Sequence, residues 1–372
     1  MKLGRVLSFT KHTYLKYVFL LIGVVLMIYL VLEDEVIRTN EGDNNGDETN
    51  INITRMETLQ ESVLKFRYAV ETPDISLKAN EELVASRDVL KRLEIPPPEE
   101  KFIDLSEDML KKFVFVTAAS SNHFNESLDL IGSIQEFMPE RDIYYYDIGL
   151  QPGQIEILKK LCGVKYRLLN FDAYPEHAAT LLTYAFKAIS IKEVMTEHSG
   201  VFWVDASIRL KGNNTDRLWE KLQIGKGMVF FASAFAHSNF ATTRAGMYDY
   251  LPTDKEKMKD LGSIGATAML LYNTKFVYEH YIKWWVLCAL NRYCIAPDGS
   301  RKYCDPYDTY EEKYHFYRNC HRFDQAALNI LVCNTFNYDK STIYSLRATQ
   351  WLSIKRYKTY MFEPHYCASK IT

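Results

Sequence analysis

The sequence predicts an α/β fold, a doubly wound and mostly parallel sheet flanked by helices, preceded by a single transmembrane helix and a stem. Three observations predict it. An uncharged apolar run lies near the N-terminus. An acidic, Asn-rich stretch poor in aromatics follows it. From about Phe102 onward, short apolar β runs alternate with helical segments, the pattern of βαβ units.

The apolar run is residues 17–32, YVFLLIGVVLMIYLVL. As a helix it spans about 24 Å, slightly short of a hydrocarbon core of roughly 30 Å. Tyr14 and Leu15 extend it, because the Lys16 stem can carry its ammonium back to the headgroups. Lys2, Arg5, Lys11 and Lys16 precede it, and Glu33, Asp34 and Glu35 follow. The basic flank stays cytoplasmic, so the chain is expected to be a single-pass type II protein anchored in the lipid bilayer. The expected divisions are a cytoplasmic tail at 1–13, a signal anchor at 14–32, a stem at 33–101 and a lumenal domain at 102–372. A cleaved signal peptide would need a small-residue site where the acidic triplet stands. The short span suits a thin, early-pathway membrane.

The stem is expected to begin as flexible chain. Residues 56–93 carry helical periodicity, read as a short helix or a stalk coil. Pro96, Pro97 and Pro98 close the stem, since three prolines cannot lie inside a helix.

Composition agrees with a lumenal body. All seven cysteines (Cys162, Cys288, Cys294, Cys304, Cys320, Cys333, Cys367) lie beyond the anchor, as disulfide candidates in an oxidising compartment. Seven is odd, so one is free or pairs between chains and makes an oligomer. Zinc on Cys294, Cys304, His315, Cys320 and His321 is the alternative. N-glycosylation sequons start at Asn52, Asn125 and Asn213. The net charge is −2 with no basic stripe, which excludes a nucleic-acid partner. With 47% hydrophobic and 14% aromatic residues, the chain can bury a large core.

Within the body, strands are expected at 113–117, 142–149, 164–171 and 200–205. Helices are expected at 124–137, 154–161 and 177–194. Lys187 and Lys192, on the last of these, are expected to be solvated. Several strands are unbroken apolar runs, as befits a sheet covered on both faces.

In open parallel sheets, ligands bind beyond the carboxyl ends of the strands. That rule selects Thr117, Ala118, Ala119 and Ser120 after the first strand, Asp147 after the second, and Asp205 and Ser207 after the fourth. Asp205 ends a buried strand, so it must face a polar crevice or find a partner. If that strand continues, Arg209 alternates onto the face of Asp205 and Ser207, where it could neutralise a diphosphate. The plain alternative makes Asp205 a turn or helix-cap residue.

The segment Phe202, Trp203, Val204, Asp205, Ala206, Ser207 resembles the metal-site strand of GT-A-type nucleotide-sugar glycosyltransferases, where hydrophobic residues precede Asp-x-Asp. The second acid is Ser207 here, which brings a hydroxyl and no charge. Residues 262–274 resemble the Gly-rich strand where such enzymes approach their sugars. Phe323 to Asn329 resembles their D-Q-x-x-L-N helix start, with Asp324 as the expected helix cap. The late His365 resembles the histidine that closes their metal or diphosphate site.

The resemblance implies a GT-A-like, Rossmann-like domain, a nucleotide-sugar donor, a Mn2+ or Mg2+ ion, and a glycan, protein or lipid acceptor. It implies Asp205, Ser207 and His365 at the metal. It implies Thr117, Ala118, Ala119, Asp147, Asp205 and Arg209 at the nucleotide, and Asp324 and Gln325 at the transferred sugar. His237 and Arg244 flank a small-residue segment read as an acceptor or lid loop. The stretch VTAASSNHFNESLDLIGSIQ is similar to a nematode-expanded family of uncharacterised type II membrane proteins.

The function expected is Golgi sugar transfer. The alternative is a non-catalytic lumenal or cell-surface binding protein on the same fold. A glycan hydrolase using Asp147, Asp205 and Asp324 is a weaker third reading. No G-x-S-x-G, H-E-x-x-H or P-loop is present.

Overall fold

The computed structural model describes residues 62–72, 75–213, 217–348 and 350–367. The expected tail, anchor and first part of the stem, with the sequon at Asn52, lie outside the described residues. No helix among the described residues is long and apolar enough to cross a membrane.

Residues 62–101 depart from the expected stem. They form strands β1 (Val63–Phe66), β2 (Ala69–Thr72), β3 (Ile75–Lys78) and β4 (Leu83–Ser86), then helix α1 (Arg87–Arg92). β1 pairs antiparallel with β4, and β2 with β3. The side chain of Ser86 caps α1 by accepting from the Val89 amide at 3.3 Å. Tyr68, Leu83, Leu90 and Leu93 belong to the main core. Asn291 clamps β4, accepting from the Val84 amide at 2.9 Å and donating to its carbonyl at 3.0 Å. The apolar periodicity of this segment therefore serves burial against the body.

The central sheet comes next. β5 (Val114–Ala119), β6 (Ile143–Asp147), β7 (Val164–Leu168) and β8 (Gly200–Val204) alternate with α2 (Phe124–Phe137), α3 (Pro152–Lys160) and α4 (Ala185–Met195). The short β9 (Ile208–Leu210) follows β8, and helix α5 (Leu218–Ile224) leads to β10 (Met228–Ser238) and β11 (Gly262–Tyr272). The six-stranded order is β10-β11-β8-β5-β6-β7. β8, β5, β6 and β7 run parallel, while β11 pairs antiparallel with both β8 and β10. The sheet is thus mixed, and the segment read as a lid loop near His237 is largely strand β10.

Side chains alternate along each strand into two apolar layers. Val114, Val116, Val201 and Trp203 pack on one face with α4, α6 (Lys283–Ala289) and α7 (Phe323–Thr335). Phe115, Tyr145, Phe202 and Val204 pack on the other with α2, α3 and α5. The helix expected at 177–194 begins only at Ala185, because Tyr184 takes a left-handed conformation (φ 54°) that separates it from two 3-10 turns.

The C-terminal segment crosses the α2 face as a strap. β12 (Leu352–Ile354) pairs antiparallel with β9. Asp129 of α2 accepts from the Thr359 amide and hydroxyl. A Cβ at Gly132 would lie 2.9 Å from the backbone of Phe362, so only glycine allows this approach. Cys162–Cys367 ties the strap down. Cys288–Cys294 and Cys304–Cys320 use up the cysteines of the alternative zinc set. Cys333 remains free and buried, with its thiol pushed up to about 12 by burial, which removes it as an inter-chain link.

Leu83→Ala is expected to destabilise the full chain by about 2–5 kcal/mol, the range for emptying a well-packed leucine site. Chemical denaturation in detergent micelles measures it. A stem segment would show no change.

Candidate functional site

The chain leaves β5 toward β6 on one side, then returns through α4 to β8 on the other. The carboxyl ends of β5 and β8 therefore border a topological switch point, where such sheets open a crevice. A cleft of about 480 Å3 lies there. Ala118, Ala119 and Ser120 line it from β5, and Trp203, Asp205, Ala206 and Ser207 from β8. Ile148, Leu181, Leu182 and Phe186 add apolar wall, while Lys302 and Arg356 reach it from two distant segments.

Trp203 and Asp205 lie two positions apart and share the α4 face. The Asp205 amide donates to the Thr267 carbonyl of β11 at 2.8 Å. Its Oδ1 accepts from Trp203 Nε1 at 2.8 Å and lies 3.0 Å from Lys187 Nζ. The Asp205 side chain keeps 25% exposure, so part of the carboxylate remains open to the cleft.

Lys187, expected to be solvated, is 5% exposed. Its ammonium bridges Asp205 to Asp324, 3.2 Å away, and donates to the Ala266 carbonyl at 3.1 Å. Burial alone would depress this ammonium, but the two carboxylates outweigh it and hold the group above its ordinary range. Burial pushes the Asp324 carboxyl up to about 6, with Lys187 opposing and Asp205 adding to the rise. Asp324 lies in the first turn of α7, where it makes no cap; the N-cap position is Arg322. Lys192 is also buried, and burial depresses its ammonium to about 8.

The motif's Asn329 works on backbone. It accepts from the Ile264 amide at 2.7 Å and donates to the Ile264 carbonyl at 2.8 Å, clamping α7 to β11. The Gly-rich segment serves the site through the Ala266 and Thr267 carbonyls. Gln325 is half-buried, and neither it nor Asp324 lines the cleft.

Four expected site residues lie elsewhere. Thr117 is fully buried two positions from Phe115, on the α2 face. Asp147 caps its own turn, accepting from the Gly149 and Leu150 amides at 2.8 and 2.7 Å and from the Tyr166 hydroxyl at 2.8 Å. Arg209 is 1% exposed and pairs with Asp129 at 3.3 Å. The turn at Ala206 and Ser207 starts a separate strand, which breaks the expected alternation. His365 is exposed, and its carbonyl accepts from the Cys162 amide at 2.9 Å. Cys162 precedes β7, so His365 sits at the amino end of the parallel strands, opposite the cleft.

The residues present do not fit the divalent cation that the resemblance implies. Such ions gather several oxygen ligands, usually with carboxylate charge among them. The cleft's acids are Asp205, which holds an ammonium at 3.0 Å, and Glu126, which lies 3.3 Å from His123. A dication on Asp205 would press against a buried lysine. Among the described residues, no three His, Cys, Asp or Glu side chains gather to hold a metal.

Lys187 had a signal in the sequence: α4 reads AFKAISIKEVM, a helix with no polar face, so its lysines had to be buried. Lys302 and Arg356 had none, because disulfide and strap geometry bring them to the cleft.

Residues 78–192 match a family described as "Protein of unknown function (DUF1647)". No curated protein matches the chain. Solved structures similar to it include the galactosyltransferase LgtC in complex with donor and acceptor sugar analogs, at 14% identity, covering 58% of this chain and 69% of that one, TM-score 0.33. The bifunctional glycosyltransferase WbbM is similar at 12% identity, 62% and 38% coverage and TM-score 0.36, so this chain spans well under half of it. The S. cerevisiae mannosyltransferase Ktr4p in complex with GDP is similar at 9% identity, 65% and 74% coverage and TM-score 0.36. All three are glycosyltransferases; the likeness is coarse.

The Asp324 carboxyl is held above its ordinary value of 3.8, so between about pH 4 and 6 the folded chain keeps a proton that the unfolded chain has released. Its contribution is therefore lost as pH rises through about 6. Wild type is expected to lose stability relative to Asp324→Asn across that window, read by denaturant titration at about pH 4.5 and 7. Parallel profiles would contradict the buried carboxyl.

Proposed function

We propose that the chain is a nucleotide-sugar glycosyltransferase, anchored in the Golgi membrane by residues 14–32 with its body in the lumen. One observation carries the chemistry. Asp205, at the end of β8, and Lys187 of α4 line a switch-point cleft of about 480 Å3, and Asp324 of α7 holds Lys187 from behind it. That volume falls in the range of small-molecule sites, roughly 300–1,000 Å3.

The apolar wall of Ile148, Leu182, Phe186 and Trp203 suits the faces of a base and a sugar ring. The open side of the Asp205 carboxylate accepts a ribose or sugar hydroxyl, and Ser207 lines the same cleft. Lys187 fixes the Asp205 carboxylate, and Asp324 fixes Lys187, so Asp324 is a positioning residue. In the transfer, the acceptor oxygen bonds to the anomeric carbon as the bond to phosphate oxygen breaks. The electron pair leaves with the nucleoside diphosphate, and the acceptor proton passes to that diphosphate or to solvent.

A second reading, a nucleotide-binding protein without turnover, draws on one fact. Trp203 and Lys187 already occupy part of the Asp205 carboxylate, and Ser207 adds no charge beside it.

The full chain in detergent micelles is expected to melt several degrees higher with either UDP or GDP, and to turn over the matching nucleotide sugar. Asp205→Ala is expected to weaken nucleotide binding on the order of tenfold, a loss of about 1.4 kcal/mol. Stabilisation by neither nucleotide would sink the proposal. Binding without turnover of any UDP- or GDP-sugar would select the second reading.

The location is supported by the charge-flanked apolar run and by three disulfides, which an oxidising compartment permits. In cells permeabilised at the plasma membrane alone, an N-terminal epitope is expected to stain and a C-terminal one to stay hidden. The opposite staining would refute the topology.

A further inference from the structure

We propose that the cleft holds the diphosphate of its donor on Lys302 and Arg356, with no divalent cation; this rests on the nucleotide-sugar reading above. The leaving group carries two or more negative charges, which something in the cleft must match. The Lys187 ammonium is committed to two carboxylates at 3.0 and 3.2 Å. Although it lines the cleft, it is 5% exposed and held by both acids and the Ala266 carbonyl, which leaves it no free donor to offer phosphate. The same pairing offsets part of the Asp205 charge that would otherwise repel an anion.

Two lysine or arginine cations remain among the cleft's lining residues. Lys302 is half-buried, with its ammonium 6.0 Å from the Tyr184 ring centre, and shows no ion pair among the described residues. It stands two residues before Cys304, at the foot of the loop closed by Cys304–Cys320. Arg356 is exposed and likewise carries no ion pair among the described residues. The Lys355 amide donates to the Ser207 carbonyl at 2.7 Å, which sets Arg356 beside the end of β8.

Both side chains line the same cleft as Asp205 and Ser207. A planar guanidinium matches two phosphate oxygens at once, and an ammonium supplies a movable point charge. Neither needs a metal to bridge it to phosphate. The two segments are tied by separate disulfides, so neither cation depends on the other for its place.

Calorimetric titration of the full chain in detergent tests this with UDP, GDP and inorganic pyrophosphate, each in EDTA and then in excess Mn2+. The expected result is binding in EDTA that changes by less than about twofold with Mn2+. The double variant Lys302→Gln/Arg356→Gln is expected to weaken diphosphate binding on the order of a hundredfold, about tenfold for each charge-assisted hydrogen bond removed. Its melting temperature without ligand should be unchanged, and Arg356→Lys should restore part of the affinity.

Tenfold or greater tightening by Mn2+, or full affinity in the double variant, would overturn the proposal. Pyrophosphate bound in EDTA and lost in the variant, with UDP and GDP both failing to bind, would keep the anion site and remove the nucleotide reading. Failure of all three probes would remove both.

Discussion

Taking an ammonium out of water costs several kcal/mol unless carboxylates replace its hydration. At Lys187 that requirement is met by Asp205 and Asp324, and much of the architecture follows from it. The lysine sits on α4, the acids on β8 and α7, and the Ala266 carbonyl on β11. One charged group thus ties together four elements far apart in sequence. It also fixes the angle at which the Asp205 carboxylate meets the cleft. Removing Lys187 would leave two carboxylates facing each other without a counter-charge, a far larger penalty than losing a surface pair.

The sheet carries a second buried pair on its opposite face, between Arg209 and Asp129. The two differ in access. Arg209 is held by the Ala206, Ile208 and Tyr357 carbonyls as well as by Asp129, and is closed off beneath the strap. The Lys187 group opens to solvent through the exposed part of Asp205. Only that pair can meet a ligand, although only three residues separate Asp205 from Arg209.

Much of the central domain was legible in the sequence. Helix α2 spans the residues that its apolar spacing predicts, and four β runs became β5 to β8 with ends shifted by a few residues. The crevice rule found Asp205, Ser207, Ala118 and Ala119, because apolar strands and their ends are local features. Other features depended on tertiary context. Thr117 lies two positions short of the end of β5 and is fully buried, and the Asp147 carboxylate is spent on its own turn and on Tyr166. Arg209 was misplaced because a turn looks like a continuing strand when only alternation is read. Residues 62–101 looked like a stalk because their partners, such as the Trp284 ring and the hydrogen-bonding Asn334, lie more than two hundred residues later.

The strap has a consequence for the order of events during synthesis. The walls of the cleft are drawn largely from β5 through β8, yet Arg356 and strand β12, which seats it against β9, come from residues after 351. Cys162 must also wait for Cys367, which lies 205 residues later. A ribosome therefore exposes most of the central sheet well before the chain that closes it. During that interval the α2 face lacks its cover, and the half-built crevice lacks its guanidinium. Completion of the cleft thus arrives late in translation, coupled to the oxidation that fixes the strap.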